Sequence, residues 1–349
     1  MTDAPVLISK SDGLARLTLN RPKALHALTT EMCRLMTDAL LGWRDDPAVA
    51  CVLIDHAGER GFCAGGDIRM LAESGAGDGV QAREFFRTEY RLNALLNAFP
   101  KPIVAVMDGI TMGGGVGISL PCRFRVATER TVFAMPETGI GLFPDVGGGW
   151  FLPRMPGATG MWLALTGARL KAADCLLVGV ATDYVPSDRL EALKAELARR
   201  PSEAETVLTE FEADPGAPPL AAVRADIDRL FAGDSLQAIA DALGADDGDW
   251  AREQGHVLSK KSPHSMAVAF RQLREGAALT SFDANMAMEF RIGARVVHSH
   301  DFLEGVRALI VDKDNAPHWS PATFAEVTPV MLDGVFAPLP PGEEWTPLG

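Results

Sequence analysis

The feature that most constrains this fold is a pair of glycine-rich segments, each placed directly after a short apolar run. The segment GFCAGGDIRM at 61–70 follows ACVLID, and the segment DGITMGGGVGISL at 108–120 follows IVAVM. Short apolar runs rich in β-branched residues predict buried strands, and glycine after a strand lets a ligand or another backbone approach closely. Two such units in one chain indicate a mixed α/β protein.

Other stretches of the chain agree with this class. Helices are predicted from about residue 30 and at about 80–98, because apolar residues recur there at intervals of three and four. Beyond about residue 165 the sequence predicts successive helices joined by polar or proline-rich loops, and then a PLPPGEEW tail that is expected to be extended. Further strands are predicted at 6–9, 15–19, 50–55 and 103–107, and in FRVAT and TVFAM.

The charge balance of the chain excludes some classes of partner. The 33 Lys and Arg residues against 46 Asp and Glu residues give a net charge of −13, which argues against sequence-independent nucleic-acid binding. The most apolar run, PIVAVMDGITMGGGVGISL, contains an aspartate and several glycines and makes a poor membrane span. No nucleic-acid or membrane partner is therefore expected.

Cysteine usage and the first residues bear on the expected compartment. The five cysteines form no CxxC pair, which fits free thiols in a reducing environment. The opening MTDAPVLISKSDG lacks the charged and then apolar pattern of a secretory signal. These features predict a cytoplasmic protein.

The glycine segments do not match the common nucleotide-binding motifs. A dinucleotide fingerprint needs G-x-G-x-x-G, but Gly113 and Gly115 are followed by Ile118 at the third position, and a P-loop needs a lysine that 109–120 lacks. The chain also has no G-x-S-x-G elbow and no H-E-x-x-H metal motif. The structural alternative is that the glycines serve only tight packing.

A second signal is the pair of carboxylates in MPETGIGLFPDVGGG at 135–149. Glu137 and Asp145 stand eight residues apart in a segment built largely of glycine, proline and apolar residues. Glu89 lies on an apolar helix face, where a carboxylate is costly without a partner or a function, although a buried ion pair would also explain it. Cys63 has no histidine placed nearby by sequence, so a buried thiol is the better interpretation than a nucleophile.

These segments resemble a known family. FCAGGDI, TMGGGVG and MPETGIGLFPDVGGG, in that order and spacing, are similar to the crotonase (enoyl-CoA hydratase/isomerase) superfamily, over about residues 6–166. The ending SKKSP…DFLEGVRALIVDKDNAPHW, at 259–319, resembles the 3-hydroxyisobutyryl-CoA hydrolase branch. The resemblance implies an α/β fold with a crotonase-type β-β-α spiral core and an acyl-CoA site in 1–200. It also implies a helical C-terminal region in 201–349 that covers the site and ends in an extended tail.

The resemblance assigns expected catalytic roles. Members of the superfamily hold the thioester oxygen between two backbone N–H groups, which match Ala64 and Gly114 here. Hydratases use two glutamates, of which the second matches Glu137, while the first falls on Gly117, and this departure argues against simple hydration. In the hydrolase branch the second acid matches Asp145. Glu137 would attack the thioester carbon or activate water, and Asp145 would contact the 3-hydroxyl or assist proton transfer to the leaving thiolate.

The resemblance also implies how the substrate is bound. No metal or redox cofactor is expected, because thioester cleavage needs only an oxyanion hole, an acid–base pair and water, and coenzyme A is part of the substrate. The chain could form a homo-oligomer, as superfamily relatives often do. Residues matching substrate-contacting positions are Glu89, Gly113, Lys23, Ala24, Asp67 and Ile68.

The expected function is hydrolysis of a short branched 3-hydroxyacyl-CoA thioester, 3-hydroxyisobutyryl-CoA by resemblance, as in valine breakdown. Two alternatives stay open from the sequence. One is an enoyl-CoA hydratase or isomerase of the same fold, and the other is a non-catalytic acyl-CoA-binding protein.

Overall fold

Nine β-strands form the framework of the computed structural model, which describes residues 4–348. Residues 1–3 and 349, at the ends of the two predicted regions, lie outside the described part. In chain order the strands are β1 (Val6–Ser11), β2 (Leu14–Leu19), β3 (Cys51–His56), β4 (Gly61–Cys63), β5 (Ile103–Met107), β6 (Ile110–Met112), β7 (Phe124–Ala127), β8 (Val132–Ala134) and β9 (Asp183–Tyr184).

The strands form two sheets that the chain visits in turn. The larger sheet has the order β1-β2-β3-β5-β7-β9, and the smaller sheet has the order β4-β6-β8. Strand β1 is antiparallel to β2, and the other pairings in both sheets are parallel. From β3 to β8 consecutive strands alternate between the sheets, so each turn of the chain adds one strand to each. This alternation is the spiral that the family resemblance implied.

Burial explains why the apolar runs form the larger sheet. Every residue of β3 and β5 is buried, as expected for parallel strands covered on both faces. Their register pairs Val52 with Ile103 and Ile54 with Ala105. The parallel arrangement brings the carboxyl ends of neighbouring strands to one edge, where the glycine segments begin.

Helices surround the sheets in the first half of the chain. Thr29 caps the first helix by accepting a hydrogen bond from the Met32 N–H, which satisfies one of its free amides. The helices of this half are α1 (Thr30–Arg44), α2 (Ile68–Gly75), α3 (Val80–Asn97), α4 (Gly114–Gly117), α5 (Gly148–Phe151), α6 (Thr159–Thr166) and α7 (Ala172–Leu177).

The second half of the described chain is helical. Its segments are α8 (Leu190–Arg199), α9 (Ala204–Phe211), α10 (Arg224–Leu230), α11 (Leu236–Ala245), α12 (Asp249–Leu258), α13 (Pro263–Ala278), α14 (Phe282–Val296), α15 (His300–Val306) and α16 (Pro329–Phe336). None of the helices within 4–348 is long and apolar enough to cross a membrane.

The C-terminal helices share their core with the sheet-containing part. Phe290 of α14 and Phe86 of α3 belong to the same cluster of buried side chains. The two helices approach closely at Gly293, where an added Cβ would lie 3.3 Å from the Phe86 ring. After α16 the chain crosses α3, where Arg87 donates to the Glu343 and Glu344 carbonyls and Trp345 is buried. The C-terminal part therefore packs directly on the helix that carries Glu89.

Candidate active site

The two glycine segments meet where the parallel strands β4 and β6 end. Gly113 has φ +48°, ψ −122°, a conformation that favours glycine, and a Cβ there would lie 3.2 Å from the Gly65 Cα. A Cβ on Gly114 would lie 2.6 Å from the Glu89 Oε1. Glycine is therefore required here so that the two backbones and a carboxylate can share a small space.

The amide of Ala64 does not have the role that the resemblance implied. Its N–H donates to the Leu25 carbonyl at 3.0 Å, so it is not available to a substrate oxygen. Gly66 lies opposite Leu28 in a parallel bridge, whose two hydrogen bonds involve the Gly65 carbonyl and the Asp67 N–H. In a parallel pairing of this kind the N–H of the bridged residue points away from its partner, so the Gly66 N–H is directed away from Leu28.

Two backbone amides beside the glycine contact remain unpaired. Within residues 4–348, neither the Gly66 N–H nor the Gly114 N–H has a hydrogen-bond acceptor. Gly114 is the first residue of α4, where an amide has no partner within the helix. The pair of available donors is thus Gly66 and Gly114 rather than Ala64 and Gly114.

A cavity of about 150 Å³ adjoins these amides. Ala64, Gly66, Gly113 and Gly114 line one side of it, and Glu89, Glu137 and Asp145 border it as well. The structure therefore brings together seven residues from four separate segments. Its apolar lining is formed by Ile68, Leu71, Phe85, Phe86, Met112, Pro136, Ile140 and Leu142.

The three carboxylates reach the cavity from different elements. Glu89 lies on α3, Glu137 begins a short 3₁₀ turn after β8, and Asp145 lies in the loop before α5. Each is at most 5 % exposed. The Tyr90 hydroxyl donates to the Asp145 Oδ2 at 2.8 Å, so this carboxylate has one fixed orientation.

Burial changes the ionisation of these acids. Burial raises the pKa of Asp145 to about 7, against the lowering effect of the Tyr90 hydrogen bond. Burial, and then the charge of Asp145, raise the pKa of both Glu89 and Glu137 well above the usual range. At neutral pH the group therefore holds protons that exposed carboxylates would have lost.

Two carboxylate oxygens in this group lack partners. Within the described residues, the Glu89 Oε1 and the Glu137 Oε2 are buried without a hydrogen bond. Buried unpaired acceptors are uncommon in folded proteins because each costs desolvation energy. Both atoms belong to residues that border the cavity, so a bound molecule with donors or an electrophilic carbon could reach them.

Some predicted substrate contacts lie outside this cavity. Ile68 lines it, but Lys23 and Ala24 are exposed on the Pro22–Ala24 turn, and Asp67 caps α2 by accepting from the Met70 N–H at 3.2 Å. The turn lies close to the site in space, because the adjacent Leu25 carbonyl accepts a hydrogen bond from the Ala64 amide. These three residues can only contact a ligand that extends beyond the cavity.

The structure explains why position 117 carries no acid. A Cβ on Gly117 would lie 2.6 Å from the Val146 Cβ and 2.8 Å from the Asn93 Nδ2. Asn93 also donates to the Gly117 carbonyl. The space of a carboxylate side chain is therefore occupied by other residues.

Cys63 is a buried thiol, in line with the preferred interpretation. Its Sγ lies 3.3 Å from the His26 carbonyl, and burial raises its pKa to about 12. A thiol with that pKa holds almost no thiolate at neutral pH and is a poor nucleophile.

Sequence reasoning missed four residues of the site. Gly66 lies within the glycine segment at 61–70, and Tyr90 follows Glu89 in the chain. The sequence does not show that the Gly66 N–H and the Tyr90 hydroxyl face the site. Lys261 has its Nζ 3.3 Å from the position of a Cβ on Gly139, two residues after Glu137, and Glu289 binds the loop that carries Asp145. Both lie far along the chain, and the only available signal was the SKKSP segment that contains Lys261.

Comparison with known proteins identifies related sequences. A family model described as enoyl-CoA hydratase/isomerase matches residues 14–336. A curated protein of Danio rerio, "3-hydroxyisobutyryl-CoA hydrolase, mitochondrial", is 46 % identical over 96 % of this chain and 90 % of its own length. The Homo sapiens protein of the same name is 43 % identical over 97 % of this chain and 90 % of its own length.

Solved structures agree on the fold but carry other names. A structure described as a carnitinyl-CoA dehydratase from Mycobacterium thermoresistibile has TM-score 0.94 and 41 % identity, and covers 99 % of both chains. One described as an enoyl-CoA hydratase from Rhodobacter sphaeroides has TM-score 0.90 and 41 % identity, and covers 98 % of this chain and all of that one. The predicted fold class is confirmed.

The comparisons contradict one prediction. The curated relatives from both organisms are named as mitochondrial proteins, which points to a mitochondrial rather than a cytoplasmic location. The prediction of a cytoplasmic protein is therefore wrong. It rested on free cysteines and the first residues, and neither feature distinguishes one reducing compartment from another.

Proposed function

Because the chain belongs to the enoyl-CoA hydratase/isomerase family, we propose that it hydrolyses 3-hydroxyisobutyryl-CoA, a short branched 3-hydroxyacyl-CoA thioester. The products are the free acid and CoA, and the reaction is part of valine breakdown. The observation that carries the proposal is that Glu137 and Asp145 border one cavity beside the unpaired Gly114 amide. The name shared by the curated relatives supports the same activity.

The thioester oxygen is bound by the N–H groups of Gly66 and Gly114. Negative charge develops on this oxygen when the thioester carbon is attacked, and fixed donors stabilise it without reorganisation. Removing one donor of this type typically costs about 2.7–4 kcal/mol of transition-state stabilisation. The unpaired state of both amides and their position beside the cavity support this assignment.

Glu137 supplies the group that attacks or directs the attack. In one route its carboxylate adds to the thioester carbon, the C–S bond breaks, and water hydrolyses the resulting mixed anhydride. In the other route it takes a proton from a water molecule that attacks the same carbon. Both routes need a Glu137 oxygen that is free to reach the thioester carbon or the water, and the unpaired Oε2 supports that requirement.

Asp145 delivers a proton to the departing sulfur. A thiol has a pKa of about 8.5, so a proton donor with a pKa near 7 can neutralise the thiolate as it leaves. The raised pKa of Asp145, about 7, and its fixed hydrogen bond to Tyr90 support this role. Glu89, with its unpaired Oε1, is left to bind the 3-hydroxyl of the acyl group.

The remainder of the CoA extends from the cavity past Ile68 toward Asp67, Lys23 and Ala24. The bond between the Leu25 carbonyl and the Ala64 amide, which joins that turn to the glycine segment, supports this path. The exposed Lys23 is available to the phosphate groups of CoA. No metal or redox cofactor enters the scheme, because water, the amides and the acids account for every bond change.

Enoyl-CoA hydration is the second candidate, since one solved structure of 41 % identity is described as a hydratase. Hydration in this family uses two glutamates that flank the water. The chain offers Glu137 but excludes a side chain at Gly117, which favours hydrolysis.

A thiol-release assay tests the proposal directly. With 3-hydroxyisobutyryl-CoA, the wild type releases thiol, while Glu137→Gln and Asp145→Asn each lower kcat by at least about 10²-fold, the size of effect expected for an acid–base group. Glu253→Gln, an exposed carboxylate on α12, is the control and keeps wild-type kcat. Crotonyl-CoA, followed by loss of enoyl absorbance, is turned over poorly.

Two results would contradict the proposal. Unchanged thiol release in both acid variants would remove the assigned roles of Glu137 and Asp145. Faster consumption of crotonyl-CoA than of 3-hydroxyisobutyryl-CoA would make hydration the function.

A further inference from the structure

The loop that carries Asp145 has a strained backbone. Val146 follows Asp145 with φ +52°, in the left-handed region that β-branched residues rarely adopt. Gly147 continues at φ +97°. A conformation of this kind persists only when surrounding contacts hold it.

Glu289 of α14 supplies those contacts on one side of Asp145. Its Oε2 accepts from the Gly147 N–H at 2.8 Å, and its Oε1 accepts from the Gly149 N–H at 2.9 Å. The side chain is fully buried, and burial raises its pKa to about 8. The two loop N–H groups, of Gly147 and Gly149, therefore donate to different oxygens of the Glu289 carboxylate.

Two side-chain amides also bind the Glu289 carboxylate. Asn285 Nδ2 donates to the Glu289 Oε1 at 2.8 Å, and Gln272 Nε2 of α13 donates to the same atom at 3.0 Å. Gln272 also donates to the Pro144 carbonyl at 2.7 Å. The residues on both sides of Asp145 are thus bound by one hydrogen-bonded group from the C-terminal helices.

Glu289 does not border the cavity, so it has no direct access to a substrate there. All four of its hydrogen-bond donors belong to the loop or to the two helices. Its two hydrogen bonds to backbone N–H groups therefore act on the site through the loop.

We propose that Glu289 is a positioning residue that holds the Pro144–Gly149 loop so that Asp145 faces the reacting thioester. This inference rests on the proposed function, because it requires Asp145 to act in turnover. A displacement of a reacting group by about 1 Å can cost about 10²-fold in rate, so loss of the loop's support lowers kcat more than it weakens binding.

A double-mutant cycle tests the proposal. Glu289→Gln keeps the size of the side chain but places an amide against a loop N–H, and we expect kcat to fall about 10²-fold with KM within about threefold. In the Asp145→Asn background the same change lowers kcat by less than about threefold, because the group that it positions is already lost. A role limited to folding would give independent effects in both backgrounds.

A matched control and a second variant complete the experiment. Asp174, another buried carboxylate, accepts from the Leu220 N–H at 2.8 Å, and Asp174→Asn keeps wild-type kcat. If Glu289→Gln does not fold, as judged by circular dichroism, Gln272→Met replaces it in the cycle and lowers kcat about tenfold only when Asp145 is present.

The outcomes separate the inference from the function on which it rests. If Asp145→Asn alone leaves kcat unchanged, the role of Asp145 fails and the inference fails with it. The other case is that Asp145→Asn lowers kcat, and Glu289→Gln lowers kcat by the same factor in the Asp145→Asn background as in the wild type. In that case only the positioning role of Glu289 is overturned.

Discussion

At the residue scale, the site gathers four carboxyl groups into a region almost without solvent. Glu89, Glu137, Asp145 and Glu289 are each at most 5 % exposed. Their environments differ in ways that separate their tasks. Asp145 accepts a hydrogen bond from Tyr90, and Glu289 accepts hydrogen bonds from four donors. In contrast, Glu89 and Glu137 each keep an unpaired oxygen. The unpaired oxygens belong to Glu89 and Glu137, which are assigned to contact the substrate. Asp145, assigned as the proton donor, is held by Tyr90, and Glu289 holds the loop that carries Asp145.

Lys261 provides a prediction at this scale. Its positive charge lowers the pKa of Glu137, whereas burial and the charge of Asp145 raise it. Lys261→Met removes the cation, so the pKa of Glu137 rises and less carboxylate is present at neutral pH. We expect the acidic limb of the pH–kcat profile to move up by about one unit, equivalent to about 1.4 kcal/mol.

The neighbouring Lys260 gives the control for this experiment. Lys260 is exposed, and Lys260→Met should leave the profile in place. Superimposable profiles for wild type and Lys261→Met would show that Lys261 does not influence the reacting group.

At the element scale, helices α13 and α14 support the Asp145 loop through close backbone contact. A Cβ on Gly276 of α13 would lie 2.0 Å from the Gly149 carbonyl oxygen, so any side chain there would push the helix away from α5. Gln272 and Glu289, which bind the loop, depend on that short separation.

The expected effect of Gly276→Ala is a loss of stability and of activity together. Overpacking of this kind typically costs about 1–3 kcal/mol, and the displaced helix moves Gln272 from the loop. Gly255 of α12 is the matched control, because nothing lies within 4 Å of an added Cβ. Gly255→Ala should raise the free energy of unfolding by up to about 1 kcal/mol through helix propensity.

Urea unfolding and thiol release measure both effects. Equal stability of the Gly276→Ala and Gly255→Ala proteins would mean that the contact at Gly149 can relax freely.

The sequence predicted most of the strands but not β4, β6 and β9. Apolar runs such as IVAVM mark their own boundaries, and β5 occupies the predicted 103–107. The three-residue strands β4 and β6 lie inside glycine segments that show no strand pattern, so their pairing arises only from tertiary structure. The same limit explains the error at Ala64. Which of several consecutive amides faces a cavity depends on backbone rotation, and the local sequence does not specify it.

At the scale of the whole molecule, the buried acids link folding to pH. Asp145 and Glu289 have folded-state pKa values of about 7 and about 8, above the values of exposed carboxyls. The folded protein therefore holds protons that the unfolded chain has released, and its stability falls as pH rises through this range. His26, whose pKa burial lowers to about 4, acts in the opposite direction but only below about pH 6.5.

We therefore expect the free energy of unfolding to fall between pH 6.5 and pH 8. Two groups that lose protons over this interval give a decrease on the order of 2 kcal/mol. Denaturant unfolding at fixed pH values measures it, with Asp145→Asn as the comparison that should show a smaller slope. A free energy that stays level or increases over the interval would contradict the ionisation assigned to these acids.

The support of the Asp145 loop has a consequence for synthesis of the chain. Glu289 follows the Gly149 amide that it binds by 140 residues. A ribosome therefore makes the sheets and the reacting acids long before it makes the helices that hold the loop. A nascent chain at that stage has the reacting acids but lacks the helices that align them, so we expect activity to appear only near the end of translation.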